Sequence, residues 1–342
     1  MKGLVRSVSL DTLRTIAILM VITIHTTGQF VLDVSQKDFG YYTASFFESI
    51  VQIGVPIFVM LSGTFILDKK IDCWKDFYQK RLPKLIIPFV VWLPLNWLWL
   101  VIKGDNLLSI IINGGGLLQL WFIPMLLILY IITPLLQIVV RRIELSKRPF
   151  RYLVLFTTLL FFIGFGDELY AEFSLHPPYP YYPFFSLRYA GFFVAGYLLR
   201  KYPLERRMSI VVTSVVYLLS IAGIMIFANV IWSKTNEYFY HNLSPFIIIQ
   251  ALALFALFSS RRGVERIKPN ILSRQHSFVL GIYLVHIIWL NIVTKAFLIL
   301  TPHFMQIPFV NVPVRVIIVF VVSLISVRFL SKIPIIRSTL LG

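Results

Sequence analysis

A single cysteine, Cys73, stands in 342 residues, which excludes an internal disulfide and any thiol-pair metal site. Acidic residues are scarce as well, 15 Asp and Glu against 32 Lys and Arg, and charged residues make up only 14% of the chain. With 58% hydrophobic residues and a mean hydropathy of +0.82, so low a charge content excludes an ordinary soluble domain. Glycine clusters only at Gly114-Gly115-Gly116, which matches no phosphate-binding fingerprint. No internal repeat, low-complexity tract or basic soluble domain is present, so the net charge of +17 has no nucleic-acid-binding surface to collect on. Residues 1–342 are expected to form one membrane-embedded domain with no appended soluble domain, no metal and no nucleic-acid partner.

What the chain has is long apolar runs. Ten stretches are long enough to cross a hydrocarbon core of ~30 Å as helices. They cover roughly 10–31, 45–67, 83–102, 121–140, 152–168, 184–199, 209–232, 243–260, 277–299 and 309–331. The expected fold is all-α and polytopic, with about ten transmembrane helices and both termini cytoplasmic. Charge supports this topology, because 24 of the 32 basic residues fall in the segments that would then be cytoplasmic. Only Lys37, Lys103 and Lys234 fall in the outer loops. Lys2 and Arg6 precede the first apolar run as in a signal peptide, yet that run is long and holds Arg14 and His25, so a retained first span is expected.

Ionisable groups inside spans are costly unless they face a partner or a polar cavity, which makes each one a functional candidate. Arg14 and His25 are eleven residues apart in the first span. About three helical turns separate them, so they share a face with ~16 Å of rise between them. Asp11 is the i, i+3 neighbour of Arg14 and can neutralise it. Glu48 enters the second span near the level of His25, where a carboxylate can orient an imidazole or snorkel to the interface. Further along, Pro56 frees a backbone carbonyl while Gly54 and Gly63 admit close helix approach. Lys80, Arg81 and Lys84 stand at the cytoplasmic mouth of the third span, where they can bind phosphate or simply obey the topology rule. Tyr283 and His286 are i, i+3 in the ninth span and can line one cavity, and Arg188 near the outer end of the sixth can meet an anionic head group or a glycan. The outer loop His176–Pro183 is rigid and aromatic enough to stack on a sugar ring, or to serve as an interfacial belt.

Taken in order, these residues resemble one family over essentially the whole chain. Arg14 with ten residues before His25, Val55-Pro56-Ile57-Phe58 to Ser62-Gly63, Lys80-Arg81 before Pro83 and Pro88, Leu120-Trp121-Phe122, and Gly281 to His286 look like the integral-membrane acyltransferase family 3. The likeness points toward the subgroup that O-acetylates surface polysaccharide, of the enterobacterial common antigen type. It implies an O-acyltransferase of the bacterial inner membrane that moves an acetyl group from acetyl-CoA to a hydroxyl of a cell-surface or lipid-linked polysaccharide.

By that resemblance His25 matches the essential histidine, as general base or as an acylated relay, and Arg14 its paired arginine, which also positions the donor. Glu48 joins them as a catalytic candidate, Arg81 and Lys84 would hold CoA phosphates, and Tyr283, His286, Trp121 and Arg188 would meet the acceptor. The partners implied are the lipid bilayer, acetyl-CoA and a glycan or lipid-linked saccharide. The rival reading is a polysaccharide or lipid exporter without covalent chemistry, which the lack of a detectable repeat disfavours.

Overall fold

The computed structural model describes residues 8–31, 38–102, 104, 106, 108, 118–173, 186–231, 237–260, 268–305 and 307–333. Gly114–Gly116 and His176–Pro183 lie outside them. The described residues form helices and no β-strand: α1 (Val8–Val31), α2 (Phe39–Val51), α3 (Gly54–Leu67), α4 (Trp74–Arg81), α5 (Pro83–Ile102), α6 (Phe122–Glu144), α7 (Pro149–Phe173), α8 (Ala190–Lys201), α9 (Arg206–Ile226), α10 (Pro245–Ser259), α11 (Val279–Leu300) and α12 (Pro308–Leu330). Nine spans among them are long and apolar enough to cross a membrane, with α2 and α3 sharing one and α4 and α5 another. The protein is an all-α, multi-pass membrane protein.

The expected sixth span, 184–199, is the exception. Its helix α8 has only 12 residues, ~18 Å of rise, and is buried from Ala190 to Leu198. Protein, not lipid, surrounds it. Its ends nevertheless reach both faces of the bundle. Arg188, just before α8, pairs with Asp167 and with Glu168 (2.8 Å) at the far end of α7, while Lys201 pairs with Glu144 at the basic end of α6. The chain thus returns to the basic face between α7 and α9, and the alternation of the loops is kept.

Helix α1 sits at the centre, in contact with α2, α3, α10, α11 and α12. Leu10, Leu13, Ala17, Ile18, Val21 and Ile22 are buried at helical spacing. Two of its threonines are satisfied within the helix, as an apolar surrounding demands. Thr23 donates to the Leu19 carbonyl (2.9 Å) and Thr26 to that of Ile22 (2.7 Å).

The second span breaks at Gln52–Ile53. Pro56 has no N–H for the carbonyl four residues before it, and Gln250 on α10 donates from Nε2 to the nearby Ser49 carbonyl (3.0 Å). Beyond the break, α3 and α8 cross with their backbones in contact. A Cβ on Gly63 would lie 1.8 Å from the Phe193 carbonyl oxygen, and one on Gly196 would lie 2.0 Å from that of Met60. Only glycine fits at either position.

The candidate active site

Two hydrogen bonds set the register that builds the site. At the basic end of α1, Thr12 Oγ1 accepts from Asn270 Nδ2 (3.1 Å) and Thr15 donates to the Leu272 carbonyl (2.9 Å). Asn270 Oδ1 in turn accepts from the Ser273 N–H (2.7 Å), which starts the 3-10 turn leading into α11. With that end fixed, α1 and α11 run parallel from the basic face, and half-buried His25 meets buried His286. The rings of His25 and His286 are 5.3 Å apart, centroid to centroid, and tilted by 44°.

The contacts of His286 settle its hydrogen-bonding role. Its Nδ1 lies 2.6 Å from the Tyr283 carbonyl oxygen, an acceptor only, so Nδ1 carries the proton and donates. Nε2 is therefore the lone-pair nitrogen, and it is buried with no hydrogen-bond partner among the described residues. Tyr283 is held by its hydroxyl, which donates to the Gln119 carbonyl, and by its ring, 5.7 Å from that of Phe122. An imidazole with a free basic nitrogen, pressed against a second imidazole inside a membrane protein, is equipped to take up and pass on a proton.

Glu48 is buried, but it accepts from Thr27 Oγ1 (3.0 Å). Thr27 is two residues beyond His25, about 200° further round the helix, so this carboxylate meets another face of α1. The neighbour of His25 is instead His286, expected from sequence only to line an acceptor cavity.

On the basic face Arg14 lies 3.8 Å from Asp11 and over the Phe65 ring of α3 at 5.7 Å. Tyr130 on α6 hydrogen-bonds Ser62 and stands within electrostatic reach of both Arg14 and Arg81. Beside them a cavity of about 340 Å³ is lined by Lys69, Lys70, Lys80, Arg81, Asp72 and Asp76, among others. Four cations against two carboxylates, one of them paired to Lys70 at 2.7 Å, leave a net positive wall. Lys84 is exposed and does not line this cavity.

Toward the far face, Trp121 packs 5.9 Å from the Tyr189 ring, whose hydroxyl accepts from Asn242 Nδ2 (3.2 Å). Arg188 is buried between the two carboxylates described above, and Glu168 also meets His241 Nδ1 at 3.1 Å. Arg188 thus serves an ion-paired cluster. Sequence reading did not single out Tyr130, Gln119, Glu168 or His241. A mid-span polar residue was the available signal for Tyr130; the others stand at helix ends, where polar residues are ordinary.

Comparison with curated proteins and with solved structures returns no match. A family model described as an acyltransferase domain matches residues 7–329, nearly the whole chain and every helix of the site. The chain belongs to the acyltransferase 3 family, and the protein is a membrane acyltransferase.

Proposed function

We propose that this protein transfers an acetyl group from acetyl-CoA to a hydroxyl of a surface or lipid-linked polysaccharide, as an O-acetyltransferase of the enterobacterial common antigen type in a bacterial inner membrane. The observation that carries the reading is the contact between His25 and His286 within the bundle, His25 standing on the same helix as Arg14.

Arg81, with Lys80 and the two lysines of the cavity wall, holds the phosphates of CoA in this reading, arginine in bidentate fashion. Arg14, further into the bundle, supports the donor arm and polarises the thioester carbonyl. His25 stands ~16 Å further along α1, a rise that the extended pantetheine arm has to cover. There His25 accepts the proton of the acceptor hydroxyl as its oxygen attacks the thioester carbon. The C–O bond forms, the C–S bond breaks, and the proton passes from the imidazole to the departing thiolate, giving the ester and free CoA. His286 is a positioning residue: its tautomer is fixed by Tyr283, so its lone-pair nitrogen can hold a His25 N–H and keep the other His25 nitrogen basic. Trp121 offers a face for a sugar ring beside the polar cluster of Arg188, Glu168 and Asn242.

Mass spectrometry of surface glycan from cells with and without the protein tests the reading. The protein-dependent signal should be the mass of one acetyl group per modified sugar. Glycan of unchanged mass would contradict it, and a larger increment would replace acetyl by a longer acyl group.

A further inference from the structure

Between α5, the turn at Leu118–Trp121 and α11 lies a second cavity, about 310 Å³, with an almost wholly apolar wall. Trp92, Asn96, Trp99, Gln119, Leu284 and Ile287 form its interior. Its rim is Leu95, Leu98, Ile102 and Ile288, all exposed within membrane-spanning helices. In a bilayer these side chains face hydrocarbon, so the cavity opens sideways into lipid. An apolar chain can enter it without leaving the membrane.

Two features set it apart from a surface dent filled by bulk lipid. Gln119 is 7% exposed, and its Oε1 has no hydrogen-bond partner among the described residues. A buried amide oxygen in an apolar wall calls for a donor, and a hydrocarbon tail has none. The same residue's carbonyl receives the Tyr283 hydroxyl, one helical turn from His286. The inner end of the groove is thus linked through Tyr283, whose ring lies 5.9 Å from that of His286, to the histidine pair. A ligand that fits both ends has a hydrocarbon chain and a hydroxyl-bearing head.

We infer that the groove between α5 and α11 binds the hydrocarbon chain of a lipid-linked saccharide acceptor, which enters laterally and presents its hydroxyl to Gln119 and His25. This rests on the acyl-transfer reading and selects the lipid-linked class of acceptor within it. The chain sets the depth of the head, and the geometry of transfer follows from that depth.

Photolabelling reads the binding step without relying on transfer. The purified protein in phospholipid nanodiscs is irradiated with a polyprenyl-linked monosaccharide carrying a diazirine in its chain. The label should fall on peptides of α5 and α11, and excess unlabelled polyprenyl-linked monosaccharide should reduce it roughly tenfold while added phospholipid does not. Ile288→Trp, which fills the mouth of the groove, should remove the competed label, and Ile288→Ala, which leaves it open, should keep it. Label that phospholipid displaces equally well, or label unchanged in Ile288→Trp, would overturn the assignment. Saturable labelling in a protein that never releases CoA would uphold the groove and defeat the acyl-transfer reading instead.

Discussion

The imidazoles of His25 and His286 face one another at 5.3 Å, although 261 positions separate them in the chain. Nδ1 of His286 has its proton role fixed by the Tyr283 carbonyl at 2.6 Å, which leaves the lone pair on Nε2. In the proposed mechanism one imidazole is the base and the other holds it in the right tautomer.

Replacing His286 by Phe keeps a ring of similar size and removes the nitrogen. The expected result is a fall in kcat of roughly 10²-fold with KM for acetyl-CoA unchanged, within the usual range for loss of acid–base assistance. Steady-state kinetics on detergent-purified protein with an unaltered size-exclusion profile checks it. A rise in KM alone would assign His286 to binding.

The donor end separates two neighbouring cations. Arg81 lines the basic cavity and lies near Tyr130, whereas Lys84 is exposed away from it. Arg81→Ala should raise KM for acetyl-CoA about tenfold, the scale of one charge-assisted contact, while Lys84→Ala leaves it within about twofold. Isotherms of CoA binding to the two variants provide the comparison, and equal weakening would place the phosphates outside this cavity.

Stability depends on the crossing of α3 and α8. A methyl group at Gly63 or Gly196 meets a backbone carbonyl at 1.8 or 2.0 Å, and backbone cannot move aside as a side chain can. Gly196→Val is expected to cost upward of 1–3 kcal/mol, the usual range for overpacking, and to broaden or abolish the monodisperse peak in fluorescence-detected size exclusion. Gly166→Val is the control, since nothing among the described residues lies within 4 Å of a Cβ there.

How much of this could be read in the sequence depends on the range of the interaction. Arg14 and His25 share a helix, so their common face follows from eleven residues at helical pitch, and the apolar run around them announces α1. The glycines of the second span signalled a close approach, but not that Gly196 answers Gly63, because that pairing is decided by how α8 packs.

Hydropathy counted 184–199 as a lipid-crossing span because apolar residues satisfy protein and lipid surroundings alike. Only the tertiary structure shows α8 enclosed and short. Glu48 meets α1 through Thr27, about 200° round the helix from His25, a matter of helix rotation that spacing within one segment does not fix. The meeting of His25 with His286 was hidden for the same reason: it depends on Thr12 and Thr15 anchoring Asn270 and Leu272 from the far end of the chain.

The central claim is that His25 takes the acceptor's proton, and acceptor-dependent release of CoA tests it most directly. Membranes holding the protein should release CoA from acetyl-CoA when glycolipid extracted from cells lacking the protein is added. Membranes holding an equal amount of His25→Ala should release none above the acceptor-free background. Wild-type release from the His25→Ala membranes would contradict the account.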